Sequence, residues 1–215
     1  MQMDPVVLVG TLLLLSLAPF AVMMTTSYVK IVVVFSLVRN ALGVQQVPLT
    51  MVLNGLALIL SVFIMAPVLF ETWEMLEQEN ITEISAPSQI FSVGSKVKEP
   101  FKKFLSKHAH PETAFFFMKT AKKLWPQKLA DKLRQDDLAI LIPAYTVSEL
   151  TRAFEIGFLV YLPFVAIDLV VSNILLAMGM MMVSPMTISL PFKLLLFVLV
   201  DGWGKLIQGL ILSYR

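Results

Sequence analysis

The sequence predicts an all-α membrane protein: two long apolar helical hairpins with a short helical polar insert between them. Three observations predict it. Of 215 residues, 57% are hydrophobic and only 15% are charged, against an apolar share of roughly 45–50% in soluble domains. The charges are confined, with 12 of the 15 acidic and 12 of the 17 basic residues lying between Glu71 and Glu155. The flanks therefore hold charge-free stretches longer than the ~20 residues that cross a bilayer core. The chain divides into an N-terminal apolar hairpin (1–70), a polar helical insert (71–145) and a C-terminal apolar hairpin with a Met-rich turn (146–215).

In the first segment, residues 5–29 and 40–70 carry no charge and are separated by Lys30 and Arg39. These two cations are read as a short positive loop between two helices. Positive loops stay cytoplasmic, so both termini and the insert are expected on the other side. A secretory signal peptide is the rival reading of residues 1–28. Asp4 stands where a positive n-region belongs and no small-residue cleavage site stands out, so the segment is read as mature structure.

The insert begins acidic (Glu71, Glu74, Glu77, Glu79, Glu83) and turns basic (Lys96, Lys98, Lys102, Lys103, Lys107). Such runs are solvated helix faces. Phe101, Phe104 and Leu105, then Phe115, Phe116, Leu124 and Trp125, add apolar positions at roughly helical spacing. Short helices packed on a partner or on the apolar body follow. His108 and His110 read as an exposed pair without the further ligands that a metal needs.

In the last segment, Thr146 and Glu149 have the spacing of a capping box, which places a helix start there. Nothing stops that helix before Gly179, and Pro163 kinks it rather than ends it. Some 32 residues at 1.5 Å each span ~48 Å, more than a bilayer core. A break at Val183-Ser184-Pro185 precedes a second long helix.

Ionisable side chains in such spans face a partner charge or a wet interior, which singles out Asp168, Lys193 and Asp201. Lys193 needs an anion, with Glu149 preferred over Asp168 and Glu155. A buried pair that only fixes helix register is the plainer reading. Asn54, Asn173, Gln45 and Gln46 fit as interhelical hydrogen-bonding groups. Met178, Met180, Met181, Met182 and Met186 crowd one turn, either as adaptable filler or as a working surface. Asp168 and Asp201 would suit an intramembrane protease only if they met as a dyad. A four-helix transporter or channel for small solutes also fits the bare pattern. Without a P-loop, thiols or a strong net charge, nothing implies a nucleotide, a cofactor, a metal or nucleic acid as ligand. The chain is not read as an enzyme.

Longer motifs narrow this. Met180-Met181-Met182-Val183-Ser184-Pro185, Ser189-Leu190-Pro191-Phe192-Lys193-Leu194 and Leu196-Phe197-Val198-Leu199-Val200-Asp201-Gly202-Trp203 run almost end to end. With Phe35-Ser36-Leu37-Val38-Arg39-Asn40-Ala41-Leu42-Gly43, Asn54-Gly55-Leu56-Ala57, Ile142-Pro143-Ala144-Tyr145 and Ile167-Asp168, the chain resembles the FliP family. That family comprises the flagellar export-gate protein and the R components of type III secretion export apparatus. The resemblance implies a conduit for unfolded secreted proteins at the bacterial inner membrane, projecting to the periplasmic side. It implies several copies of the chain, a pentamer, assembled with the S and T components and larger export-gate and switch proteins. It implies apolar hairpins raised from the bilayer plane onto neighbouring subunits. It also implies that Met180, Met181 and Met182 line the pore as a gasket. A start directly at the first apolar segment and a short insert favour a virulence-type system over a flagellar one.

Overall fold

The structure, a computed structural model, describes residues 12, 16–17, 19–44, 48–77 and 87–215. Asp4, Gln45, Gln46, Glu79 and Glu83 lie outside the described residues, as does the side chain of Lys96. All regular elements among the described residues are helices: α1 (Pro19–Thr25), α2 (Tyr28–Leu42), α3 (Thr50–Glu77), α4 (Pro87–His108), α5 (Pro111–Leu124), α6 (Gln127–Ala130), α7 (Leu138–Ala177), α8 (Pro185–Leu199) and α9 (Gly202–Leu212). Two of them, α3 and α7, are long and apolar enough to cross a membrane, and two bent pairs, α1 with α2 and α8 with α9, raise the number to four if each is one span. Contacts gather the chain into two compact units, Met1–Val29 with Met65–Glu149, and Lys30–Ile64 with Leu150–Arg215. Both long helices contribute residues to each unit, so the units cut across the three segments of the sequence.

The turn of the first hairpin is not where two cations suggested. Lys30 and Arg39 both lie within α2, because an isolated cation does not break a helix. The chain turns instead at Gly43, whose φ of +76° is a conformation that side chains with a Cβ resist. Lys30 is fully buried, its ammonium 3.5 Å from the centroid of the Tyr214 ring, a cation–π contact. Arg39 donates to Thr50 Oγ1 at 2.7 Å, bracing the start of α3. The positive loop on which the orientation was read does not exist.

In the first unit, α4 buries Phe104 and Leu105, and the Phe104 ring lies 5.7 Å from that of Tyr145. Lys102 Nζ donates to Asp136 Oδ2 at 2.7 Å, tying α4 to the approach of α7. That hydrogen bond, foremost, raises the Lys102 pKa and lowers that of Asp136. The histidines do not form an exposed pair: His108 is buried with its ring 4.7 Å from Phe104, and only His110 is exposed.

Helix α7 starts at Leu138, eight residues before the capping box. Asp137 opens it, its carbonyl accepting the N–H groups of Ile140 and Leu141 at 2.9 and 2.8 Å. Pro143 removes one helical donor without ending the helix. Thr146 Oγ1 and Ser148 Oγ bond back to the carbonyls of Ile142 and Ala144, at 2.8 and 2.6 Å, the habit of hydroxyls inside helices. With 40 residues, α7 is about 60 Å long.

In the second unit, α2 turns Ile31, Val34, Phe35 and Val38 inward, the i, i+3, i+4, i+7 stripe of a packed helix. Leu37 of α2 packs directly on Gly157 of α7, where a Cβ would overlap its side chain. An aromatic series joins α7, α8, α9 and α2: Phe164 meets Phe197 at 6.2 Å, and Trp203 stands edge-on to Phe197 and Phe35 at 5.4 and 5.7 Å. The last apolar stretch is two helices rather than one. Asp201 takes a left-handed conformation, φ 53°, and α9 leaves α8 at 59°. Phe197 lies so close over Gly202 that no Cβ fits there.

Candidate functional site

Two neighbouring features of the second unit stand out, one apolar and exposed, the other charged and buried. Gly179 ends α7 at φ +71°. Its N–H bonds to the Leu176 carbonyl and that of Met180 to the Leu175 carbonyl, at 3.0 and 2.9 Å, the paired bonds of a Schellman ending. Ser184 is extended and Pro185 opens α8, where its missing N–H does no harm. Between these stops the methionines cannot fold back into a helix. Met180 is 48%, Met181 82% and Met182 101% exposed, and Met178 and Met186 are exposed as well. Five flexible thioethers left uncovered by the rest of the chain form an apolar surface that burial would stabilise.

The buried feature centres on Lys193, whose side chain is 3% exposed. Its ammonium donates to Asp168 Oδ2 at 2.6 Å and to the Ala41 carbonyl at 3.2 Å. Ala41 lies in the last turn of α2, where carbonyls lack helical partners and a cation is favoured. Asp168 Oδ1 accepts from Ser189 Oγ at 2.5 Å. Ser189 and Lys193 are one turn apart on α8 and share a face, so both reach the carboxylate presented by α7. The cluster thus fastens α2, α7 and α8. An alanine at position 43 would meet Lys193 Nζ and Met186 Cγ at 3.9 Å, so the lock and the methionine turn adjoin.

Lys193 therefore meets Asp168 and not Glu149, the partner its sequence position suggested. Glu149 is fully buried in α7, about five turns short of the level of Lys193 that Asp168 occupies. Glu155 is exposed on α7 and forms no ion pair among the described residues. Asp201 is no buried partner either: it is exposed at the α8–α9 corner with its carboxylate turned over Gly204. With both Asp168 oxygens engaged by Ser189 and Lys193, the two aspartates do not form a dyad. Asn54 is half-buried and Asn173 exposed, and neither amide is hydrogen-bonded among the described residues. Ser189 and the Ala41 carbonyl were missed as partners. The Ser-x-x-x-Lys spacing was the available signal for the first, whereas a backbone acceptor leaves none.

Known proteins match this chain almost from end to end. The FliP family matches residues 11–210. Yop proteins translocation protein R of Yersinia pestis is 57% identical over 213 residues, covering 98% of this chain and 97% of the relative. Virulence protein YscR of Salmonella typhimurium is 51% identical over 211 residues, with 98% and 97% covered. The hypersensitivity response secretion protein HrcR of Ralstonia nicotianae is 50% identical over 202 residues, covering 94% and 93%. A match that takes in the methionine turn, the buried lysine and every helix from α1 to α8 establishes that the chain belongs to the FliP family.

Proposed function

We propose that this chain is a core component of a type III protein-export apparatus, building with copies of itself the conduit that passes unfolded proteins across a bacterial inner membrane. The relatives are named for translocation, virulence and secretion, and the apolar helices α3 and α7 suit a membrane setting. The observation that carries the reading is the methionine turn. Three consecutive methionines stand exposed on the chain just beyond the end of a 40-residue helix, with positive-φ glycine and proline stops that hold them out of either helix. In a ring of copies, Met180, Met181 and Met182 form a gasket. Methionine's flexible, polarizable side chain fills irregular gaps, so such a ring closes on itself and deforms around cargo of varied shape.

Assembly follows from the same surface. Only 17% of the most apolar window of α7 is buried within the chain, so lipid or other subunits must cover the rest. We assign a homo-oligomer, a pentamer by resemblance, with S and T components and larger export-gate and switch proteins, projecting to the periplasmic side. Asn173 and Glu155, exposed and unpaired here, are offered to those neighbours. Native mass measurement of the complex in mild detergent tests this. Several identical chains with two kinds of smaller partner are expected, and loss of the gene should abolish secretion. A monodisperse monomer that still supports secretion would contradict it.

A further inference from the structure

The α8–α9 corner creates a second feature that the conduit does not use. An open slot of about 740 Å³ runs along α9 within the second unit. Gly202, Lys205, Leu206, Gly209 and Ser213 line it from one side, a single helix face at three- and four-residue spacing. Ile156, Val160 and Phe164 of α7 face them. From Gly202 to Ser213 the slot is about 16 Å long at 1.5 Å per residue, close to one leaflet of a ~30 Å hydrocarbon core. Its floor is open at Gly209, where an added Cβ would meet nothing within 4 Å.

The lining is apolar except for Lys205 and Ser213, and Ser213 Oγ already donates to the Leu210 carbonyl. Lys205 is exposed and forms no ion pair among the described residues, the nearby Asp201 carboxylate being turned over Gly204. An amphiphile with a single anionic head and a long apolar tail complements this arrangement. The geometry points to a bound anionic phospholipid, with one acyl chain along α9 and its phosphate on Lys205, a juxtaposition typical of basic sites between apolar helices. Its tail replaces the apolar contacts that α7 and α9 lack across the slot. The site requires only that the hairpin meets lipid during insertion, and it stands apart from the export reading.

The test uses the intact complex purified in mild detergent, with phosphatidylglycerol or phosphatidylcholine added and bound lipid read by native mass spectrometry. Wild type should retain phospholipid and prefer phosphatidylglycerol. Lys205→Gln should reduce that preference about fivefold. Gly209→Leu enters open space and favours the helix, so it should expel the lipid while the number of subunits stays the same. Absence of retained phospholipid, equal retention of both lipids by wild type, or unchanged lipid content in Gly209→Leu would overturn the site. Loss of subunits from Gly209→Leu at unchanged lipid per chain would also overturn it, since a second copy would then fill the slot. If Gly209→Leu does not assemble, the Lys205→Gln preference alone decides: a fivefold loss supports the site and no loss overturns it.

Discussion

Lys193 and Asp168 meet at 2.6 Å, the lysine side chain 3% and the aspartate 35% exposed, and the same carboxylate accepts from Ser189 at 2.5 Å. Two helices that read as unrelated apolar segments are thereby locked at one level. Removing one member of a buried pair costs ~3–5 kcal/mol because the other charge is stranded. Asp168→Ala should therefore lower the thermal stability of the purified complex strongly. Replacing both charges, as Lys193→Met with Asp168→Leu, should recover most of it, since well-packed apolar groups often substitute for a buried pair. Equal losses in the single and double variants would show that the pair does not act as a unit.

Gly157 should tolerate no side chain. A methyl there would overlap the Leu37 side chain, and overpacking of this kind costs ~1–3 kcal/mol. Gly157→Ala should lower the unfolding temperature, and Leu37→Ala added to it should restore part of the loss. Gly209→Ala, with no neighbour within 4 Å, is the matched control and should be neutral or better.

The Lys102–Asp136 bond makes a pH prediction outside the apolar helices. The pair holds the Asp136 carboxyl below the usual carboxylate range, so its contribution is present above the unfolded value and is lost as pH falls through the depressed one. It also raises Lys102, so the same contribution disappears in base only above the ordinary lysine value. Hydrogen exchange in residues 125–137, corrected for the intrinsic pH dependence of amide exchange, should therefore be flat near neutrality and should quicken in strong acid. Lys102→Met should quicken it at neutral pH and remove the acid dependence.

Asp201 is the only residue other than glycine with positive φ among the described residues. A left-handed conformation costs most residues roughly 1–2 kcal/mol, and aspartate bears it better than β-branched residues. Asp201→Gly should be neutral or stabilising, while Asp201→Val should destabilise by about 1–2 kcal/mol. The two changes remove the same charge, so equal stability in both would show that the carboxylate over Gly204 matters rather than the backbone.

Much of this fold was legible because apolar length and glycine stops act locally. The charge-free stretch 40–70 supplied most of α3, Gly179 ended α7, and the break before Pro185 appeared where Ser-Pro signalled it. What escaped the sequence was set by partners far along the chain. Lys30 looked like a loop residue, yet a ring 184 positions later accepts its charge. Thr146 and Glu149 have the letters of a capping box, but a hydroxyl inside a continuing helix bonds backward just as well. Glu149 seemed the anion for Lys193 because the capping box placed it at a helix start. Once α7 begins at Leu138, Asp168 is the acid at the right level. The methionines were plain in the sequence, but their exposure was not, because filler and gasket share a composition.

In the proposed conduit, Met180, Met181 and Met182 form the seal. Replacing all three with alanine removes the side chains that close the centre and leaves the Gly179 and Pro185 stops in place. Ion leakage through the assembled complex in a membrane, at rest and without cargo, tests it directly. The triple variant should assemble with normal subunit composition, still secrete, and leak ions or small molecules that wild type holds back. An assembled triple variant as ion-tight as wild type would contradict it.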